Sequence, residues 1–393
     1  MAGPCNILLL IETSKAFGRK LLRGIHRYMT ENRCNWATYV EERGKRERLP
    51  SWVSRFDGDG VIAHSSSPSV VGTLRELGLP MVETDMCGMG QGVPMVYSDE
   101  DALASAAIEH FLSRGIDRLA WCQIVDRAWC EFRCAALLRQ LRKRGLDLAA
   151  KYTPPKKRAA NWLDQRAQLG DWLTTLKRPT AVFCANDLCG SRLLEAARSV
   201  GIAVPDEIAV LGVDNDPVLC EMAWPSLSSI EQNAEQIGYL SAEQLDRMLA
   251  GNPWPSEPIW VLPAGVETRR SSDIIAFGQP DLVAAVEFIR SRACTGINVR
   301  DVLSHVCISR SQLETLFHRH LGHSPKAEIQ RIRLDHAKRL LQLNHPIAHV
   351  ARSCGFKSSQ YFANVFQREL HMTPGQWRQK QAALGALALP VGH

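Results

Sequence analysis

The chain has 393 residues, 45% hydrophobic and 22% charged, which is ample apolar content for two or three packed domains. No stretch approaches a membrane span, and the twelve cysteines contain no C-x-x-C pair, so the composition argues against a membrane protein and a disulfide scaffold. The net charge of +6 is uneven: residues 281–382 carry fifteen Lys/Arg against seven Asp/Glu, a net +8, and the rest carries 32 against 34, a net −2. A basic excess confined to one segment points to a polyanionic partner there.

The opening run Ile7 to Ile11 lacks the basic leader, apolar length and cleavage site of an export signal, so a soluble, cytoplasmic protein is expected. From Asn6 to about Ser272, short apolar runs alternate with amphipathic helix patterns, the signature of an open parallel sheet covered on both faces. The strand candidates are Ile7 to Ile11, Gly60 to Ala63, Pro80 to Glu83, Arg118 to Cys122, Ala181 to Cys184 and Ile208 to Gly212. One helix face is made by Leu21, Leu22, Ile25, Tyr28 and Met29, another by Leu193, Leu194, Ala197 and Val200, the latter ended by Gly201.

Two candidate strands lead into polar residues, Asn186 after Ala181 to Cys184, and Asp214 with Asn215 after Ile208 to Gly212. The carboxyl ends of parallel strands are where open sheets bind ligands, and these three side chains supply the paired donors and acceptors a polyhydroxylated ligand needs. The plainer alternative for Asp214 and Asn215 is a set of turn hydrogen bonds. Gly88, Gly90 and Gly92 lack phosphate-loop spacing and run into Pro94 rather than a helix, which argues against a dinucleotide. Cys130 and Cys134, one helical turn apart beside Arg133, are read as a packed apolar face. No catalytic set and no cofactor is expected.

Arg269 to Ser272 and Gly278 to Pro280 mark an interdomain joint within Glu267 to Pro280. Beyond it the chain repeats itself: Ser309 to Phe317, closing at Ser324-Pro325, recurs 49 positions on as Ser358 to Phe366, closing at Thr373-Pro374. Each copy follows a short apolar helix and a turn, with Val302, Leu303 and Ile308 in the first and Ile347, Val350, Gly355 and Phe356 in the second, which is a helix-turn-helix used twice. Ser309 with Gln312, and Thr373 with Gln376, read as capping boxes, and Pro325 as the start of a long helix reaching about Leu343.

In the first recognition helix Leu313, Leu316 and Phe317 face inward, leaving Arg310, Ser311, Glu314, Thr315 and His318 outward. In the second, Phe362, Val365 and Phe366 face inward, and Ser359, Gln360, Asn364 and Arg368 outward. Gln and Asn suit adenine edges in a major groove, although solvating a surface would use the same residues. Arg331, Arg333, Lys338 and Arg339 on the connecting helix are candidates for phosphate contact. His318, His320 and His323 point to different faces and are not read as a metal site. The tail 383–393, without periodicity, is expected to be disordered.

Residues from about Pro280 to Lys380 resemble the AraC-type DNA-binding domain, and Ile347 to Pro374 follows that signature nearly position for position. The resemblance implies base-facing roles for Ser311, Glu314, Thr315, Ser359, Gln360 and Asn364, with Lys357, Arg310 and Arg368 completing the DNA surface. Asn6 to Ser272 resembles the sugar-sensing domain of LacI-type regulators through Ile7 to Phe17, Arg23 to Ile25, Glu131 to Cys134, Asn186 and Asp214. That likeness implies a two-lobed, periplasmic-binding-protein-like α/β domain. Phe17 would stack on a sugar ring, and Arg133, Asn186 and Asp214 would contact hydroxyls. LacI-type proteins carry DNA-binding helices in front, whereas here they follow, which is the order of bacterial xylose operon regulators. The expected organisation is a sensor at 1–275, a DNA-binding domain at 276–382 and the tail. The expected function is sugar-controlled regulation of transcription, with D-xylose the leading effector, a homodimer on an operator, and RNA polymerase as partner if the protein activates. The alternative is a regulator answering a non-pentose ligand; an enzyme would need a base and nucleophile or a cofactor loop, and a periplasmic binding protein an export signal.

Overall fold

The computed structural model describes residues 3–41, 49–65, 67–154, 161–253, 257–274, 279–342, 345–370 and 372–378. Two compact units emerge, residues 1–111 with 116–274, and residues 275–393 with 112–115. The tail 383–393 and the joint residues 275–278 lie outside the described residues.

The first unit runs β1 (Cys5–Leu10), α1 (Ala16–Glu31), β2 (Trp36–Glu41), β3 (Gly60–Ala63), α2 (Pro68–Arg75), β4 (Met81–Glu83), β5 (Val96–Ser98) and α3 (Glu100–Leu112). It continues with β6 (Leu119–Cys122), α4 (Ala128–Lys143), β7 (Leu148–Tyr152), α5 (Trp162–Thr174), β8 (Thr180–Cys184), α6 (Asp187–Ser199), β9 (Ile208–Val213), α7 (Pro217–Met222) and β10 (Ser228–Glu231). Then come α8 (Ala234–Leu249), β11 (Ile259–Val261) and β12 (Gly265–Glu267). The strands form a parallel sheet in the order β2-β1-β3-β4, a pair β11-β5, and a six-stranded sheet β12-β10-β9-β8-β6-β7 that is parallel except for β12.

Two lobes result, and the chain builds them discontinuously. Alternate residues of the first sheet point to opposite faces. Ile7, Leu9, Ile62 and Val82 pack with α1 and α8, and Leu8, Leu10, Val61 and Ala63 with Val53 and Leu74. Helix α8, which follows the second lobe's last parallel strand, thus returns to the first lobe's core. It approaches α1 at backbone distance: a Cβ on Gly24 would lie 1.9 Å from the Glu235 carbonyl oxygen, and one on Gly238 2.1 Å from that of Leu21. The second lobe's core joins Ala120, Cys122, Val182, Cys184, Ile208 and Val210 to α5 and α6.

Val200 is 40% exposed because the helix ends at Ser199 and Val200 is the C-cap beyond it. The joint is shorter than Glu267 to Pro280: Ser271 and Ser272 are fully buried, with Ser271 Oγ donating to the Val210 carbonyl at 2.7 Å and accepting from Ser228 N–H at 2.8 Å. Strands β2, β5, β7, β10, β11 and β12 were not among the candidates.

The second unit contains α9 (Pro280–Arg292), α10 (Val299–Val306), α11 (Arg310–Leu321), α12 (Pro325–Gln342), α13 (Ile347–Ser353) and α14 (Ser359–Leu370). It has two cores. Leu282, Val286, Ile289, Val302, Leu313, Phe317 and Ile329 make one, and Leu334, Ala337, Leu341, Val350, Phe362 and Phe366 the other, so α12 contributes to both. Thr373 and Gln376 form a reciprocal box, whereas Ser309 makes only half of one, accepting from Gln312 N–H at 3.2 Å. Asn298 and Asp301 form a full box that opens α10.

Arg333 departs from the expected phosphate-contacting role. It is 9% exposed and donates to the carbonyls of Ala293 and Ile297 at 2.8 and 2.7 Å, tying α12 to the turn before α10. Nearby, Gly355 at φ +71° abuts that same turn, where a Cβ would fall 2.6 Å from Gly296 N. The two helix-turn-helix halves therefore meet through backbone, a contact that admits no side chain at Gly355.

Candidate functional site

A cavity of about 240 Å³ opens between the lobes of the first unit. Its walls come from the carboxyl ends of strands in both sheets, as open-sheet geometry dictates. The first lobe supplies Glu12, Lys15 and Phe17 after β1, His64 and Ser65 after β3, and Asp85 and Cys87 after β4. The second supplies Arg127, Trp129 and Arg133 at the start of α4, Asn186 after β8, Asp214 after β9 and Gln232 after β10.

Four of the five expected ligand residues line this cavity: Phe17, Arg133, Asn186 and Asp214. Phe17 packs its ring 5.1 Å from that of His64, giving one wall an aromatic surface. Arg133 is 1% exposed and held from three sides. Its Nε and Nη2 donate to the Glu100 carboxylate at 2.8 and 2.9 Å, Nη2 also to Gln232 Oε1 at 2.9 Å, and Nη1 to the Ala185 carbonyl at 2.6 Å. Burial works against the guanidinium's charge, but Glu100 and the nearby Tyr97 and Asp214 more than offset it, so its pKa is raised. A rigid, ionised donor results.

Asn186 caps α6, its Oδ1 accepting from Cys189 N–H at 3.0 Å, which leaves the amide nitrogen for the cavity. Asp214 sits at φ +109° and accepts from Gln232 Nε2. Lys20 of α1 donates to the Asp214 carbonyl at 2.8 Å and pairs with Glu231, linking first-lobe helix to second-lobe strand ends. Behind it, Asp187 is fully buried, and burial together with Asp214 raises its pKa well above the usual carboxylate range.

Asn215 does not line the cavity. Its Oδ1 accepts from Arg269 Nη2 at 2.9 Å and its N–H donates to Ser229 Oγ at 3.0 Å, so the turn hydrogen bonds are its role. Several cavity residues had no sequence signal, among them Gln232, which follows a strand of sequence SSIE that shows no apolar run. Among the described residues the metal-competent cluster is Cys122, Cys184 and Cys189, whose sulfurs lie within 4.8 Å of one another, enclosed in the second lobe's apolar core.

In the second unit the outward residues of both recognition helices are exposed or half-buried. On α11 these are Arg310, Ser311, Glu314 and Thr315, with Arg310 Nε donating to Glu314 Oε1 at 3.0 Å. Around α14 they are Lys357, Ser359, Gln360, Asn364 and Arg368. Gln360 Nε2 donates to Asn364 Oδ1 at 3.2 Å, placing both amides side by side on one face, and Arg368 reaches Gln330 of α12 at 3.3 Å. On α12, Arg331 is paired with Glu328 at 2.6 Å. Among the described residues no helix is long and apolar enough to cross a membrane.

Family models match along most of this architecture: an XylR N-terminal domain at residues 6–90, a periplasmic binding protein-like domain at 108–272 and a helix-turn-helix domain at 302–380. The xylose operon regulatory protein of Escherichia coli K12 is 30% identical over 386 residues, covering 95% of this chain and 96% of that protein. That of Haemophilus influenzae is 30% identical over 381 residues, covering 95% and 98%. A solved structure of the xylose-binding transcription activator XylR aligns with a TM-score of 0.62 at 29% identity, covering 96% of this chain and 98% of that one. A two-lobed sensor cavity followed by a double helix-turn-helix, matched by these relatives over 95–96% of the chain, places the chain in the family of xylose operon regulatory proteins, sugar-responsive DNA-binding regulators of transcription.

Proposed function

We propose that this regulator senses D-xylose in the cavity between its lobes, binds its operator as a homodimer through α11 and α14, and activates transcription by contacting RNA polymerase. The observation that carries the ligand reading is the buried Arg133, locked by Glu100, Gln232 and Ala185 with its guanidinium in the cavity wall. Such a donor serves a ligand rich in oxygen acceptors. The ligand is uncharged. Glu12, Asp85, Asp126 and Asp214 line the cavity against Lys15, Arg127 and Arg133, and Arg133 is already matched by Glu100. A phosphorylated or carboxylated sugar would meet surplus negative charge. The aromatic face of Phe17 adds a stacking surface for a pyranose ring.

The sugar controls the protein only by binding one arrangement of the lobes better than the other. Lys20, which joins α1 to the Asp214 turn and Glu231, lies where such a change would be felt. Calorimetric titration of the full chain with neutral pentoses and hexoses, and with xylonate and xylose 5-phosphate, tests the reading. Saturable binding of D-xylose, with the two anions weaker by about 100-fold or more, is the expected result, equivalent to ~2.7 kcal/mol of discrimination. Preference for an anion, or for a hexose over every pentose, contradicts it.

A further inference from the structure

Ser65 and Glu83, at the edge of the first lobe's sheet, are both fully buried, and Ser65 lines the sugar cavity. The Ser65 hydroxyl lies against the Glu83 carboxyl, yet neither Ser65 Oγ nor Glu83 Oε2 has a hydrogen-bond partner of good geometry among the described residues. An unpartnered buried hydroxyl against a carboxyl that itself has one unpartnered oxygen is costly unless something completes them. The other carboxyl oxygen is fully used: Oε1 accepts from the N–H groups of Ser65, Thr84 and Asp85, each at 2.9 Å. Glu83 thereby fixes the loop after β3 to the turn after β4, and with it the cavity residues Asp85 and Cys87.

The Glu83 side chain is closely packed. A Cβ on Gly88 would fall 2.5 Å from Glu83 Cγ, so only glycine leaves room there. No cation pairs with Glu83 among the described residues. The titratable groups facing it are Asp85 and Cys87 on the following turn, with Cys87 donating its thiol hydrogen to the Ser65 carbonyl at 2.9 Å. His64, next to Ser65, bonds Thr84 and has Nε2 3.7 Å from Asp85 Oδ2.

We propose that Glu83 keeps its proton in the folded protein and that Glu83 and Ser65 form a relay subsite for one oxygen of the bound sugar. This rests on the sugar reading above. The Glu83 Oε2–H donates to Ser65 Oγ, and Ser65 turns its own hydrogen toward the ligand oxygen. Ionised Glu83 would accept that hydrogen instead and reverse the relay, leaving Ser65 only an acceptor toward the sugar. Burial, reinforced by Asp85 and partly opposed by the bonds from Ser65 and the backbone, lifts the pKa of Glu83 to about 8, consistent with a neutral acid at neutral pH.

Glu83→Gln keeps both features of the neutral acid, since the amide oxygen accepts the three N–H groups and the amide nitrogen donates to Ser65. An acid whose pKa is raised by folding favours the fold fully below its unfolded value, and that stability is lost as pH rises through the folded value. Thermal unfolding of the ligand-free full chain should therefore give similar melting temperatures for the wild type and Glu83→Gln near about pH 5. By about pH 9 the variant should melt more than about 5 °C higher. In calorimetry with D-xylose, wild-type affinity should fall about tenfold or more between roughly pH 6.5 and pH 9, Glu83→Gln should stay flat, and Ser65→Ala should be weakened about tenfold at both. A melting difference that does not change with pH overturns the neutral acid. Normal melting with sugar affinity lost in Glu83→Gln at the lower pH, or unchanged in Ser65→Ala, overturns the subsite. If the wild type binds no sugar at either pH, the sugar reading and the subsite fail together, while the melting series still decides the proton.

Discussion

Arg133→Ala is expected to abolish the response to sugar and to destabilise the sensor unit by about 3–5 kcal/mol, because it strands a buried carboxylate. Among the described residues the guanidinium supplies both side-chain hydrogen bonds to the Glu100 carboxylate, at 2.8 and 2.9 Å, and its loss also removes the donor to Ala185 O and to Gln232 Oε1. The structural cost and the ligand role are separable. In a double variant, Arg133→Met with Glu100→Gln, the stranded charge is gone, so much of the stability should return while sugar binding does not. Arg133→Lys keeps the charge but cannot reproduce the forked contact to Glu100 while also reaching Ala185 and Gln232, and should bind sugar weakly. Urea unfolding followed by calorimetric titration checks each variant. A double variant that binds sugar like the wild type would confine Arg133 to a structural part.

The second large effect belongs to the DNA surface. Replacing Gln360 and Asn364 together by alanine should leave the fold intact, since both are exposed and, among the described residues, their side chains bond each other. An amide pair of this kind reads adenine edges, and each good contact is worth about 1–3 kcal/mol of discrimination against the wrong base. The double variant should therefore lose roughly 10- to 100-fold in preference at particular base pairs while retaining salt-dependent affinity for DNA in general. Lys357→Ala should weaken binding to all sequences alike and reduce the salt slope by about one. Competition binding against randomised sites distinguishes these outcomes. A double variant with unchanged base preference would reduce Gln360 and Asn364 to surface solvation.

Much of this architecture is legible in the sequence because its signals are local. The repeat from Ser309 and from Ser358 carries its own caps and apolar stripes, and Leu313, Phe317, Phe362 and Phe366 are buried as the period demands. Central strands such as Gly60–Ala63 announce themselves as continuous apolar runs because both of their faces are covered. Strand β2, Trp36–Glu41, lies at a sheet edge with three exposed residues and has no such run. Long-range pairings leave no local trace. Arg333 looks like another arginine on a basic helix, yet two carbonyls some forty residues away capture it. Asn215 follows Asp214 in the same polar turn, but Arg269 turns its side chain away from the cavity. The partnership of Arg133 with Glu100 and Gln232 joins residues 33 and 99 positions apart, and tertiary structure alone brings them together.

The expected control is that a sugar held between the lobes governs how the protein engages DNA. Its most direct test is the affinity of the full chain for a DNA site selected from a random pool, measured with and without saturating D-xylose at fixed salt. A shift of about tenfold or more is expected, within the usual range of allosteric coupling, and it should disappear in Arg133→Ala. Equal affinity with and without the sugar, in a protein shown by calorimetry to be saturated with it, would rule out sugar control of DNA binding.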